Sequence, residues 1–201
     1  MKTIIFDMYG VIIKESKGNF IPYTLNNFPK SEHERLTKLF KDDHLFTKAG
    51  NGEITSDEFL TALGYNDPIF YMRDYIENHL TIDEDFCVFA ENMMNKYKHA
   101  LLSNDVSAWS KYITEFYKLN AYLPIKIISS DVRCRKPEPE IFEIALRRIG
   151  VQADECIFID NSVENLHAAS KFGIDVMLFN RDNEVYTGKT VYTFDELFRM
   201  I

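Results

Sequence analysis

Residues 3–12, TIIFDMYGVI, decide how the rest of the chain is read. The stretch from Thr3 to Phe6 is largely apolar and β-branched, as expected of a short strand buried on both faces of a parallel sheet; a strand with one wet face would alternate. The run stops at a carboxylate, Asp7. Four later runs repeat the pattern: HALLS ending at Ser103, IKIIS at Ser129, CIFID at Asp160 and DVMLF at Phe179. Helical patterns lie between them. In KPEPEIFEIALRRIG a helix is expected to start after the prolines and stop at Gly150, because proline suits a first helical turn and glycine the residue past the last. Another is expected from about Val163 to Phe172, stopping at Gly173. Strands alternating with helices of this length imply right-handed crossovers and an α/β fold, a three-layer, doubly wound core on a parallel sheet.

That core is expected to use residues 1–13 and 95–201. Residues 14–94 contain no strand-like run but three segments of capping-box form, Ser31 with Glu34, Thr55 with Glu58 and Thr81 with Glu84. They read as a small all-helical cap domain inserted after the first strand. An insertion at that point stands at the C-terminal edge of the sheet, where open α/β folds bind ligands, so it is placed to close over a site as a lid.

The 201 residues suffice for one core with a modest appendage. A 46% hydrophobic and 27% charged composition belongs to an ordinary globular protein and excludes a disordered or fibrous one. The net charge of -8 and the lack of any Lys/Arg run argue against a nucleic-acid partner. An acidic protein that handles an anion needs a local cation, which a bound metal and one or two placed lysines would supply. Cys87, Cys134 and Cys156 are scattered, odd in number and without metal-ligand spacing, so they read as reduced thiols in a cytoplasmic protein. The opening MKTIIFDMYG is too short in apolar residues for a signal peptide or a membrane span, and no membrane partner is expected. Nothing points to an oligomer, and a monomer is the default.

Polar groups gather where the apolar runs end: Asp7, Ser103 with Asn104, Lys136 a few residues past the third run, and Asp160 with Asn161. In a parallel sheet these ends converge. A carboxylate pair, a hydroxyl and an ammonium brought together there can hold a divalent metal and a phosphate. Taken singly each signal is weak, since an Asp after a strand also caps turns and a Lys in RKPEP also suits a solvated loop.

As IIFDMYGVI, LLSND, RKPEPEIF and IFIDNSVEN, these residues resemble the four motifs of the haloacid dehalogenase superfamily, whose commonest members are phosphatases. The resemblance covers nearly the whole chain, and the helical insertion is similar to the cap of that superfamily's first subclass. GEITSDEFLTALG and ISSDVRCRKPEPEIF look most like the branch containing a glucose-1-phosphate phosphatase and the N-terminal domains of epoxide hydrolases. The resemblance implies a Mg²⁺-dependent hydrolase of a small phosphate monoester, with a sugar phosphate the preferred class, acting through an aspartyl-phosphate. Asp7 would be the nucleophile. Asp160 would share Mg²⁺ with Asp7, and the Tyr9 carbonyl would be a third ligand. Ser103 and the backbone N–H groups around Asn104 and Met8 would cradle the phosphate, with Lys136 adding a charge that steadies Asp7. Asn161 and Asn165 would serve the metal's waters or Lys136. His167 reads as a partly buried structural residue.

The pattern departs from the family at one place. Most phosphatases of the superfamily carry a second Asp two residues after the nucleophile, to protonate the leaving group and then activate water. Tyr9 stands there instead, and a phenol is a poor base at neutral pH. Dehalogenases of the family carry Tyr at this position and bind no metal, but they usually lack the carboxylate that Asp160 provides here. A third reading is a pseudophosphatase that binds a phosphometabolite and regulates. Substrate choice is expected to rest on cap residues, with Lys14, Phe20, Phe46, Lys48 and Tyr71 as candidates.

Overall fold

The computed structural model describes residues 1–201. Six strands, β1 (Thr3–Phe6), β2 (Lys98–Ser103), β3 (Ile125–Ile128), β4 (Cys156–Asp160), β5 (Asp175–Phe179) and β6 (Thr190–Val191), form one sheet in the order β3-β2-β1-β4-β5-β6. Every neighbouring pair is parallel. The helices are α1 (Phe20–Asn27), α2 (His33–Lys41), α3 (Leu45–Gly50), α4 (Ser56–Leu63), α5 (Pro68–His79), α6 (Glu84–Met93), α7 (Ser107–Phe116), α8 (Ser129–Val132), α9 (Pro139–Ile149), α10 (Val163–Ser170) and α11 (Phe194–Met200). This is the doubly wound α/β architecture that the alternating pattern implied. β1 is central, its chain continues outward through β2 on one side, and β4 joins it on the other. The strand order therefore reverses beside β1, the place where such sheets bind ligands.

The pleat sends alternate residues of each strand to opposite faces. Ile4 and Phe6 of β1 meet α6 and α11, with Phe6 5.3 Å from Phe86 and Phe86 5.5 Å from Phe194. Ile5, Leu102 and Phe158 face the other way onto Phe142 of α9 and Leu166 of α10. Both faces are covered, which is why the strands read as unbroken apolar runs.

Local details depart from expectation for identifiable reasons. β6 is a two-residue edge strand, too short to make a run. Ser129 opens α8 instead of ending β3, and α10 stops at Ser170, with a turn carrying the chain to Gly173. Of the three capping boxes, only Thr55 with Glu58 forms. Ser31 lies inside a 3₁₀ turn over Lys30–Glu32 that runs directly into α2. Thr81 is already committed: its carbonyl accepts from Lys14 N and its N–H donates to Glu15, so α6 is capped by Asp83 instead.

Helices α1–α5 form a body that is welded to the sheet domain. Trp109 of α7 is fully buried and donates from Nε1 to Ser56 Oγ at 2.8 Å. Phe20 and Tyr75 pack on its ring at centroid distances of 4.8 and 5.4 Å. Ser129 donates to the Gly50 carbonyl, a second buried bond across the seam. One apolar cluster runs without a break from Leu63 through Trp109 to Leu197. A large swing of these helices as a lid would expose that cluster. Replacing Trp109 with Phe leaves Ser56 Oγ buried without its donor and is expected to lower unfolding free energy by about 1–3 kcal/mol. Urea denaturation checks this, and an unchanged midpoint would show that the Trp109–Ser56 bond adds no net stability to the seam.

Candidate active site

Four loops meet above the C-terminal ends of β1, β2 and β4, beside the point where the strand order reverses. The first is the turn after β1. Asp7 N–H completes the ladder by donating to the Ile159 carbonyl at 2.9 Å, so the carboxylate leaves the sheet from a fixed base. Met8 and Ile13 close the turn, Ile13 N donating to Met8 O at 2.8 Å and Gly10 N to Ile13 O at 2.7 Å. Gly10 has φ of +81°, and a Cβ there would stand 2.3 Å from Asn161 Nδ2. Only glycine fits.

Lys136 is the electrostatic centre. Its ammonium lies 2.7 Å from Asp7 Oδ1 and 2.7 Å from Asp160 Oδ2, with its side chain 1% exposed. Asn104 fixes the lysine backbone on both sides, accepting from Lys136 N and donating to Lys136 O at 2.8 Å each. Burial pulls the Lys136 ammonium down, but the Asp160 and Asp7 carboxylates outweigh it and hold it above its ordinary range. For Asp7 burial wins: desolvation lifts its carboxyl to about 7 against the pull of Lys136. One ammonium between two carboxylates leaves the floor of the site negative, and its donors are all oxygens. Such a set can hold a hard divalent cation.

Asp160 is fully buried and heavily bonded, accepting from Ser162 N at 2.7 Å and from Asn165 Nδ2 at 3.1 and 3.2 Å. Asn165 therefore sits against the carboxylate, bonded to Asp160 itself and not to Lys136. Asn161 does not; its Nδ2 donates to Asp182 at 3.3 Å. Ser103 is fully buried at the end of β2, and its Oγ has no hydrogen-bond partner in the protein. Buried hydroxyls are nearly always paired, so an unpaired one at a strand end is free to serve a ligand. Met8 is buried beneath the turn and contributes backbone only. His167 is exposed and lies against Tyr186, away from the four loops.

Tyr9 lines the site, and its hydroxyl reaches Asp105 Oδ1 at 3.5 Å. Asp105 was not singled out by the sequence, although it stands next in LLSND. It is 2% exposed, accepts from Val106 N and Ser110 Oγ, and burial pushes it up to about 7. Burial and the neighbouring Asp105 raise the Tyr9 phenol well above its ordinary value, so it stays protonated.

A cavity of about 480 Å³ opens over these groups. Asp7, Lys136, Asn104 and Asn165 form its floor. Of the five cap candidates only Phe46 reaches it, joined by Tyr75, Gly18 and Lys17. Phe20 fills the cluster around Trp109, and Tyr71 packs at a tilt on Tyr65. The opposite wall comes from Asp182 and Glu184, on the loop after β5. They too follow an apolar run, the same signal that marked Asp7 and Asp160.

The fold is shared with known proteins. A D-ribitol-5-phosphate phosphatase of Bacteroides thetaiotaomicron is 25% identical over 195 residues, 87% of this chain and 90% of its own. (S)-2-haloacid dehalogenase 4A of Burkholderia cepacia is 31% identical over 85 residues, covering 42% of this chain and 37% of its own. Among solved structures, a HAD phosphatase from Thermococcus onnurineus matches with a TM-score of 0.78 at 20% identity, over 100% of this chain and 97% of its own. A HAD-family enzyme from Bacteroides thetaiotaomicron, in complex with magnesium and inorganic phosphate, matches at 0.76 and 23% identity over 93% and 98%. The model of the haloacid dehalogenase-like hydrolases matches residues 1–173, a span holding all four strand-end loops, and the chain belongs to that hydrolase family.

Proposed function

We propose that this hydrolase is a Mg²⁺-dependent phosphatase that cleaves a small phosphate monoester through an aspartyl-phosphate on Asp7. The observation that carries the reading is the single ammonium of Lys136 shared at 2.7 Å by two buried carboxylates at the ends of adjacent strands. That geometry aims the Asp7 carboxylate into the cavity and leaves it short of positive charge, which a hard cation on Asp7, Asp160 and the Tyr9 carbonyl would supply. When bound, Mg²⁺ neutralises charge on the nucleophile and the phosphate. The chain's own groups do the rest. Asp7 attacks phosphorus, Ser103 Oγ and the backbone N–H groups of Met8 and Asn104 hold phosphate oxygens, and Lys136 keeps Asp7 oriented and offsets charge in the transition state. Asn165 fixes Asp160, while Asn161 acts through Asp182. Helices α1–α5 of the insertion supply the cover, since Phe46 and Tyr75 line the cavity.

The Tyr9 phenol, held well above its ordinary range, is a weak acid as well as a poor base, so the favoured leaving group is one that departs without a strong acid. An anomeric sugar hydroxyl meets that condition better than an ordinary alcohol, and the relative named for D-ribitol 5-phosphate supports the wider class of sugar and polyol phosphates by similarity alone. The experiment is hydrolysis of a panel of sugar and polyol phosphates and 4-nitrophenyl phosphate, with Mg²⁺ and with EDTA. Turnover that requires Mg²⁺ is expected. Chloride release from 2-chloropropionate in EDTA would replace this reading with the dehalogenase one, which Tyr9 favours. Mg²⁺ binding by a folded protein that turns over no ester would point to a regulator.

A further inference from the structure

The mouth of the cavity is held by a loop that lies beyond the four motifs. Arg181, just after β5, donates to the Gly10 and Val11 carbonyls at 3.2 and 3.1 Å and pairs with Asp83. It thereby grips both strands of chain that run between the sheet and the helical insertion. Its neighbour Asp182 accepts from Ser16 Oγ at 2.8 Å and from Asn161 Nδ2 at 3.3 Å. The Gly10 Cα faces the same spot, where a Cβ would come within 3.0 Å of Ser16 Cβ. Two segments distant in sequence, at Ser16 and Asn161, thus meet on one carboxylate. Asp182 is exposed at the cavity rim and held from two sides.

The rim has a definite charge. Glu164, Asp182 and Glu184 line it, and Lys17 is the ammonium that faces them. Across the cavity stand the rings of Tyr9, Phe46 and Tyr75. We infer that Asp182 is a specificity-determining residue that, with Glu164 and Glu184, confines the substrate to esters whose leaving group carries hydroxyls and no second anion. The inference rests on the phosphatase reading, which places the phosphate on the Lys136 floor and the leaving group toward the rim. A hydroxyl donates to a carboxylate and lies with its C–H face on a ring, whereas a second carboxylate or phosphate has no proton to give and meets like charge. Because the rim is wet, this exclusion weakens as salt shortens the reach of its charges.

The test compares two esters of the same carbon count that differ in one group, sorbitol 6-phosphate and 6-phosphogluconate, with 4-nitrophenyl phosphate as the reference. The parent protein is expected to prefer the polyol ester in kcat/KM by about tenfold or more at low salt, with the preference shrinking as salt rises. Asp182→Asn keeps an acceptor for Ser16 but removes the charge; it is expected to reduce both the preference and its salt dependence severalfold. Equal use of the two esters by the parent, or an unchanged ratio in Asp182→Asn, overturns the inference. Loss of all turnover on the reference ester would instead overturn the phosphatase reading. Calorimetric binding of the two esters to the Asp7→Asn protein with Mg²⁺ then decides the rim's role on its own: weaker binding of 6-phosphogluconate upholds it, and equal binding rejects it.

Discussion

The Asp7→Asn protein is expected to hydrolyse phosphate esters at no more than about one thousandth of the parental rate, and to be the more stable of the two at pH 8. The first half follows from the nucleophile role proposed for Asp7, because an amide oxygen does not form the covalent intermediate and the remaining groups only bind. The second follows from burial. Asp7 titrates near 7 in the metal-free fold, above the 3.8 of an unhindered Asp. A carboxyl whose folded pKa is raised binds its proton more tightly when folded. Its contribution to stability is therefore greatest below about 4 and is lost as pH climbs toward 7. Asn does not titrate, so the variant's advantage is expected to grow between pH 5 and pH 8. Asp105, also lifted to about 7 chiefly by burial, adds a slope of the same sign to both proteins, smaller in the variant because the Asp7 charge contributes to its lift. Thermal unfolding of the pair in EDTA at the two pH values is the measurement. A variant no more stable than the parent at pH 8 would mean that Lys136 satisfies Asp7 fully and that the site is not short of cation.

Lys136→Met is expected to damage both folding and turnover. Removing the ammonium leaves Asp7 and Asp160 facing each other in a pocket where the lysine side chain was 1% exposed. Breaking a buried charge pair by deleting one member costs about 3–5 kcal/mol, because the partner is left uncompensated. Here two partners are left. The carboxylates will answer by holding protons, so the cost is expected to shrink at pH 5 relative to pH 8. Turnover is expected to fall at least about a hundredfold, the usual loss when a preorganised charge is removed from a developing oxyanion. Arginine is not a conservative substitute, since its planar fork directs its donors differently from the single ammonium that two carboxylates share here. Urea titrations at both pH values, with steady-state kinetics on 4-nitrophenyl phosphate, check the pair of effects. A Met variant with parental stability would refute the view that this ammonium holds the floor together.

Most of the sheet was legible because a strand buried on both faces announces itself as an apolar run, and because the residue ending such a run is exposed to the site. Asp7, Ser103 and Asp160 were found on that ground. Asp105 was passed over because a buried carboxylate looks in sequence like the turn residue it also is. Arg181 and Asp182 follow the β5 run and carry the same signal, but they lie outside the four family motifs that drew attention first. The insertion was legible as helical and not in its packing. Phe20 and Phe46 are both aromatic residues of that insertion, and nothing local tells which fills the cluster around Trp109 and which faces the cavity. Helix starts failed where a long-range bond claimed the backbone first, as Glu15 and Lys14 do at Thr81.

The central place of β1 has a consequence for how the protein is made. β1 spans Thr3–Phe6, its neighbours are β2 at Lys98–Ser103 and β4 at Cys156–Asp160, and Asp7 N–H waits for the carbonyl of Ile159. At ribosomal speeds of about 5–20 residues per second, roughly eight to thirty seconds separate the appearance of Asp7 from that of the strand that fixes it. Over that interval TIIF is an apolar segment without a sheet, and Asp7 is an ordinary solvated carboxylate of low pKa. The unfinished chain thus lacks the desolvated carboxylate of the finished fold, which is acquired late, when β4 arrives and the water around Asp7 is squeezed out.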